Sequence, residues 1–381
     1  MLGDNGLKAA SGVLPASDLD RAVSRQHGGR IYTTGTNWME CAVAWPHLRG
    51  DLTATRRCAA VFLDNLEEIY ARQNWVSRWT NIGDANCLFA DLNIKKGAFE
   101  KATEAWLCAL TAFEIVRRLI DEDDPRIQDI SAKIEAGVLR LGLSLERQIE
   151  RVRIAWYEQS EFPAYYLPAG SSDLNAPAVI CISREQETGA TLLGRLLPLL
   201  IGRCMSVLVL SRKDISALSR GQSETMLSCC LDYLSRRPDV DARRIGVYGE
   251  GLSAVLATDF AVSDQRVAAA VCDGGLWNWA RILASVGWRA GDGVDEEAVS
   301  ARRSRLVRQL RCPVLVIAGG RGTVSVSEAI KLQADCAAAR IALELAIPRL
   351  ARTPAGEMEN FVTSDDFIFG WLRRALADAP W

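Results

Sequence analysis

The residues whose types and spacing come nearest to chemistry lie in Arg243 to Ala261, RRIGVYGEGLSAVLATDFA. An apolar β run, Ile245 to Tyr248, meets a glycine-flanked turn and then a helical run. A tight turn of this kind lifts its apex residue above the edge of a sheet and presents it to a ligand. Glu250, between Gly249 and Gly251, could take a proton as a general base, although a polar residue in that place equally serves to pack or position the turn. Ser253 carries a hydroxyl, but the strand ends where Gly251 caps the turn, which puts Ser253 inside the following helix as a small residue permitting close packing. The Gly251 and Leu252 amides open a helix N-terminus, where an anion or a carbonyl oxygen could be held.

The elements that must position this turn follow from periodicity. Apolar residues recur at helical spacing from Asp51 to Tyr70 and from Phe99 to Leu119, DEDDP at 121 to 125 interrupts the pattern, and a third helix is expected from Ile127 towards Ile154. After Trp156 short β runs alternate with helical segments: Tyr165 to Leu167, Ala178 to Ile182, Ser206 to Leu210, Arg244 to Tyr248, Val267 to Cys272, Val314 to Ala318 and Leu343 to Ile347. Strands that are apolar throughout and separated by helices predict an α/β fold with a mostly parallel sheet covered on both faces. The expected domains are a helical one over 1–155 and an α/β one over 156–381, with a helical insertion at about 276–308. SSDLNAP, at 171 to 177, is expected to be a hairpin turn joining the first two strands.

Composition narrows the function. Lys+Arg 45 against Asp+Glu 47 gives a net charge of −2, and no basic run tracks phosphates, so neither nucleic acid nor an anionic membrane is an expected partner. The longest apolar stretches are too short to span a bilayer and the N-terminus lacks a secretory pattern, which predicts a cytoplasmic protein. The 11 cysteines are scattered through apolar runs, as reduced core thiols would be. The only histidines, His27 and His47, rule out any mechanism that needs one in the C-terminal half. No metal or cofactor is expected, because CxxC is absent, neither histidine has ligand spacing, and Gly319, Gly320 and Gly322 do not form a dinucleotide loop.

With the helical first third, DVDARRIGVYGEG, DQRVAAAVCDGG and CPVLVIAGGRG on the page, the chain resembles the α/β-hydrolase superfamily. Within it, the chain is similar to the group containing 2,6-dihydroxypseudooxynicotine hydrolase and the FrsA-like proteins. The resemblance implies an α/β-hydrolase fold with an N-terminal all-helical domain, a dimer, and a substrate class of compounds with a carbon-carbon bond next to a carbonyl. The family pattern G-x-S-x-G falls on Gly249 to Ser253, which puts Gly251 at the nucleophile position. The family acid aligns with Gly322 and the family histidine with Gly356, so all three triad positions of a Ser-His-Asp mechanism read as glycine. Two explanations stay open. The emptied site is a pocket reused for new chemistry or binding, or it has decayed and is kept only for the fold.

The other candidates are weighed against ordinary structural roles. The loop Ser183-Arg184-Glu185-Gln186-Glu187 falls where the family shapes its oxyanion hole, and Arg184 could bind an anionic substrate or merely be solvated. Cys181 is a candidate thiol nucleophile or a buried structural residue. Asp273, at a strand's carboxyl end, sits where open α/β sheets bind ligands, or it caps the next helix. Trp277, Trp279 and Trp288 could wall a pocket for an aromatic ligand or anchor helices, and Arg321 joins the expected ligand contacts. The leading expectation is a protein that binds a small aromatic or polyketide-like carbonyl compound of secondary metabolism. Any chemistry would be a cyclisation, isomerisation or carbon-carbon cleavage. The alternative is a non-catalytic pseudoenzyme acting as a partner or regulatory subunit.

Overall fold

The computed structural model describes residues 72–273 and 308–377, apart from 122, 146–147, 158–159, 171–174, 185–186, 217, 318–329, 331–332, 335, 339, 348–349, 354–355 and 360. The expected helix at 51–70 and the insertion at 276–308, except its last residue, lie outside the described residues.

The described chain divides into two compact units between Ser144 and Leu145, and a short later segment, Leu350–Met358, belongs with the first. That first unit holds helices α1 (Arg72–Lys95), α2 (Phe99–Leu119) and α3 (Arg126–Ser144). Helix α2 is buried along most of its length because its apolar residues surround the axis rather than forming one stripe, so it packs against both α1 and α3. Gly97, at φ 70, ends α1: its N–H reaches Ile94 O and the Ala98 N–H reaches Asn93 O, the paired bonds that close a helix through a left-handed residue.

The third helix stops at Ser144, short of the expected Ile154. Arg151, Arg153 and Ala155 are exposed while Ile154 is buried and Val152 and Trp156 partly so, a two-residue period that makes Glu150–Tyr157 strand β1. It pairs antiparallel with β2 (Ser160–Leu167). The expected hairpin at SSDLNAP is not formed, because β4 (Ser206–Leu210) lies between β2 and β3 (Ala176–Ile182). The sheet continues through β5 (Val240–Glu250), β6 (Ala269–Asp273), β7 (Val314–Ile317) and β8 (Leu343–Ala346) in the order β1-β2-β4-β3-β5-β6-β7-β8. From β4 through β8 every neighbouring pair is parallel, as the apolar runs predict.

Helices cover both faces. On one, α4 (Gly189–Leu200) and the C-terminal α8 (Phe361–Ala377) pack together and on the sheet. On the other lie α6 (Arg220–Ser235) and α7 (Ser253–Ser263), preceded in the chain by the short α5 (Arg212–Ser216). Residues of β5 therefore alternate between two surroundings: Val247 joins the α6–α7 core, whereas the Tyr248 ring meets Phe369 of α8 at 5.8 Å between centroids. A two-stranded sheet, β9 (Leu350–Thr353) and β10 (Gly356–Glu359), completes the described elements. None of the described helices is long and apolar enough to cross a membrane.

Candidate functional site

The turn after β5 is built from two glycines with different duties. A Cβ on Gly249 would fall 2.1 Å from Ser253 O, so only a residue without a side chain lets α7 press against the strand. Gly251 forms the apex at φ 62, in the left-handed region that L side chains occupy at a cost. Its N–H donates to Asp273 O at 2.7 Å. That amide is therefore bound to the neighbouring strand, which corrects the expectation that it waits for a ligand at the helix start.

Ser253 is the first residue of α7 and fully buried, and its hydroxyl donates to Ser183 O at 2.5 Å. Ser183 is equally committed. Its hydroxyl donates to Glu187 O at 2.6 Å and accepts the Arg212 N–H at 3.0 Å, which ties the segment after β3 to the start of α5. The Ser183 hydroxyl thus staples the loop. Arg184 next to it is half-buried, and its Nε is enclosed with no hydrogen-bond partner among the described residues.

The Glu250 carboxylate is engaged within the protein. It faces the α4–α8 side, where its Oε2 meets Arg195 Nη2 and lies 3.2 Å from Tyr248 Oη. The same phenol lies 3.3 Å from Asp273 Oδ2, so two expected site residues meet beneath the turn through a tyrosine. Arg195, 3% exposed, also grips Glu187 through two bonds of 3.2 Å and reaches Asp365 of α8 at 3.3 Å. Burial pushes the Arg195 pKa down, but Glu187, Glu250 and Asp365 push it further up, and the guanidinium is held charged. One sequence signal could have found this network: an arginine inside GATLLGRLLPLL, a helix of leucines, must bring acidic partners with it.

Cys181 is fully buried, and burial pushes its thiol well above the usual range. Cys272, its thiol pushed up to about 12 by the same cause, lies 3.2 Å from Thr258 Oγ1. These are core thiols. Brief alkylation of the native protein is expected to modify exposed Cys204 and spare Cys181 and Cys272, as peptide mapping can establish.

Leu252 borders a cavity of about 150 Å³ between the starts of α6 and α7, walled also by Ile215, Leu218, Leu227 and Val255. The Arg220–Asp259 ion pair, at 2.8 Å, forms its polar side. Gly251 and Arg184 do not line it. Trp277, Arg321 and Gly322 lie outside the described residues, and Gly356 opens β10 in the unit that holds α1–α3.

No protein-family model matches the chain, and no curated protein matches it in sequence. Solved structures do. The crystal structure of 2,6-dihydroxy-pseudo-oxynicotine hydrolase superposes with a TM-score of 0.61 at 18% identity, over 87% of this chain and 95% of that one. Wild-type AbyA5 follows with a TM-score of 0.52 at 13% identity, over 80% of this chain and 89% of that one. With the mostly parallel sheet, its helical cover and the strand–turn–helix at Gly251, these likenesses establish that the chain has the α/β-hydrolase fold.

Proposed function

We propose that the protein binds a small aromatic or polyketide-like carbonyl compound at the carboxyl ends of its parallel strands and does not hydrolyse it through a Ser-His-Asp triad. The observation that carries this reading is the turn apex. Gly251 offers no nucleophile there, and the nearest hydroxyl in the chain, Ser253, is buried and spent on Ser183 O. No histidine follows His47 in the sequence, so Gly322 and Gly356 at the remaining triad positions leave a serine without its base. The cavity beside Leu252 supports retained binding, and the enclosed Nε of Arg184 supports an electron-rich ligand group near the segment after β3. Chemistry at such a site would be a cyclisation, isomerisation or carbon-carbon cleavage driven by fixed dipoles and shape. The reading includes a cytoplasmic protein acting in secondary metabolism, as a dimer.

The purified protein is expected to show no turnover of short acyl esters and no labelling by serine-directed phosphonates. Gly251→Ser is expected to leave this unchanged, because triad members act as a unit. It should also cost about 1 to 3 kcal/mol through a side chain on a left-handed backbone. Stoichiometric labelling of Ser253, or esterase turnover by the Gly251→Ser variant, would remove the reading. Thermal-shift screening against aromatic ketones tests the binding half directly.

A second reading, a non-catalytic partner or regulatory subunit, draws support from the helical unit. Leu88, Leu143 and Phe89 are 72%, 66% and 50% exposed there, which is surface of the kind that partners cover. A stabilising small ligand favours the first reading, and a stable complex with an active hydrolase favours the second.

A further inference from the structure

The cavity between the starts of α6 and α7 encloses about 150 Å³. Aliphatic side chains supply its buried wall: Ile215, Leu227 and Val255 are buried, and Leu218, Leu252 and Leu256 are partly so. A void of this size among aliphatic groups holds water poorly, because water needs several polar partners, and it accepts one benzene-sized ring. The polar part of the lining is already engaged. Ser216 donates to Lys213 O and Ser223 to Ser219 O, both at 3.1 Å. The charged residues on the wall balance as two arginines and two acids, Arg212 and Arg220 against Glu224 and Asp259. Arg220 joins both acids, at 3.0 Å to Glu224 Oε1 and 2.8 Å to Asp259 Oδ1. Its side chain is 52% exposed while that of Asp259 is 4% exposed, so Arg220 marks the open side of the cavity.

We propose that this cavity seats a single aromatic ring bearing a neutral hydroxyl or carbonyl group, with the ring against Leu227 and Val255 and the polar group towards Arg220. The assignment rests on the aromatic ligand of the function proposed above and gives that ligand a place. Leu252 follows the turn apex Gly251 in the chain and belongs to the wall, so the seat adjoins the carboxyl end of β5. Selection follows from the lining. The ring displaces poorly held water from aliphatic surface, which is favourable. A neutral polar group leaves the balanced charges at the open side as they are. A carboxylate on the same ring would lose water to reach an edge whose arginine is already shared between two acids.

Phenol is the probe and benzoate the charged control, each titrated into the full chain and followed by calorimetry. Phenol is expected to bind with a dissociation constant near the millimolar range, and benzoate at least about tenfold more weakly. With methyl-labelled leucine and valine, nuclear Overhauser effects from the phenol ring are expected at Leu227, Leu252 and Val255. Val255→Phe places a ring of the protein's own in the seat and is expected to abolish phenol binding. The seat is overturned if phenol does not bind, if benzoate binds as tightly, or if the effects fall on other methyls. It is also overturned if a folded Val255→Phe protein binds phenol as the unmodified one does. Should that variant fail to fold, the Overhauser effects decide. The two proposals fail separately: aromatic ketones that stabilise the protein while phenol leaves these methyls untouched remove the seat and keep the function proposed above. Phenol bound here with no ketone bound keeps the seat and removes that function.

Discussion

Arg195→Met is expected to destabilise the sheet-bearing unit by about 3 to 5 kcal/mol, read from denaturant unfolding followed by tryptophan fluorescence. Methionine matches the aliphatic stem, so little packing is lost and the effect measures charge. The guanidinium is 3% exposed and in contact with Glu187 and Asp365, whose side chains are 3% and 1% exposed. Without it those acids must either stay charged in a site that excludes water or take up protons at neutral pH, and both are costly. Arg195→Lys should recover only part of the loss, since a single ammonium cannot reproduce two bonds to Glu187 together with one to Asp365. A control separates charge from shape. Adding Glu187→Gln and Asp365→Asn to Arg195→Met neutralises two of the three acids that the guanidinium held, and this triple variant should be more stable than the single one. If Arg195→Met costs less than about 1 kcal/mol, the network contributes as little as a surface ion pair.

Gly249→Ala should produce the second large effect, about 3 kcal/mol or more, at the upper end of overpacking costs. The added methyl would meet Ser253 O at 2.1 Å and Ser253 C at 2.5 Å, and both are backbone atoms that no rotamer change can move aside. Helix α7 would have to shift as a body, which breaks the Ser253–Ser183 bond and disturbs the turn. Gly221→Ala, in α6 of the same unit, supplies the comparison: nothing lies within 4 Å of its Cβ, and helix propensity makes the change neutral or stabilising by up to about 1 kcal/mol. Melting curves of the two variants should therefore differ in sign or nearly so. Equal stability of Gly249→Ala and the unmodified protein would mean that the helix does not sit on the strand as described.

The fold was legible where burial is complete. Strands β4, β6 and β7 are buried at every residue, and a run such as Ser206 to Leu210 has no other plausible home than the middle of a sheet. The edge was harder. Glu150–Tyr157 alternates charged and apolar residues, but the long helical pattern before it is followed by no glycine or proline, so the helix reads on past Ser144. The order of β2, β4 and β3 was hidden because a polar, glycine-containing connection looks the same whether or not the strands it joins are neighbours.

Within the site, the turn was legible because glycine is required there for reasons that spacing expresses. The left-handed apex at 251 and the helix contact at 249 both follow from one short string. Which way Glu250 points was not legible, since it depends on partners at residues 187, 195 and 365 that only folding brings together. The commitments of Ser183 and of the Gly251 amide were hidden for the same reason: each is bonded across the sheet to a residue distant in sequence.

The spacing of the Arg195 partners along the chain bears on how the protein is made. Its acids lie 8, 55 and 170 positions away, and the last, Asp365, is in the final described helix. During synthesis a domain tends to fold as its segments emerge, N-terminal parts first. Here most of the sheet can leave the ribosome while the arginine beneath it still lacks one of its three acids. A chain that stalls or is cut before α8 therefore retains a cation short of its full complement of acids where α8 would have lain. Such a chain is expected to stay open to chaperones and proteases until Asp365 reaches the arginine.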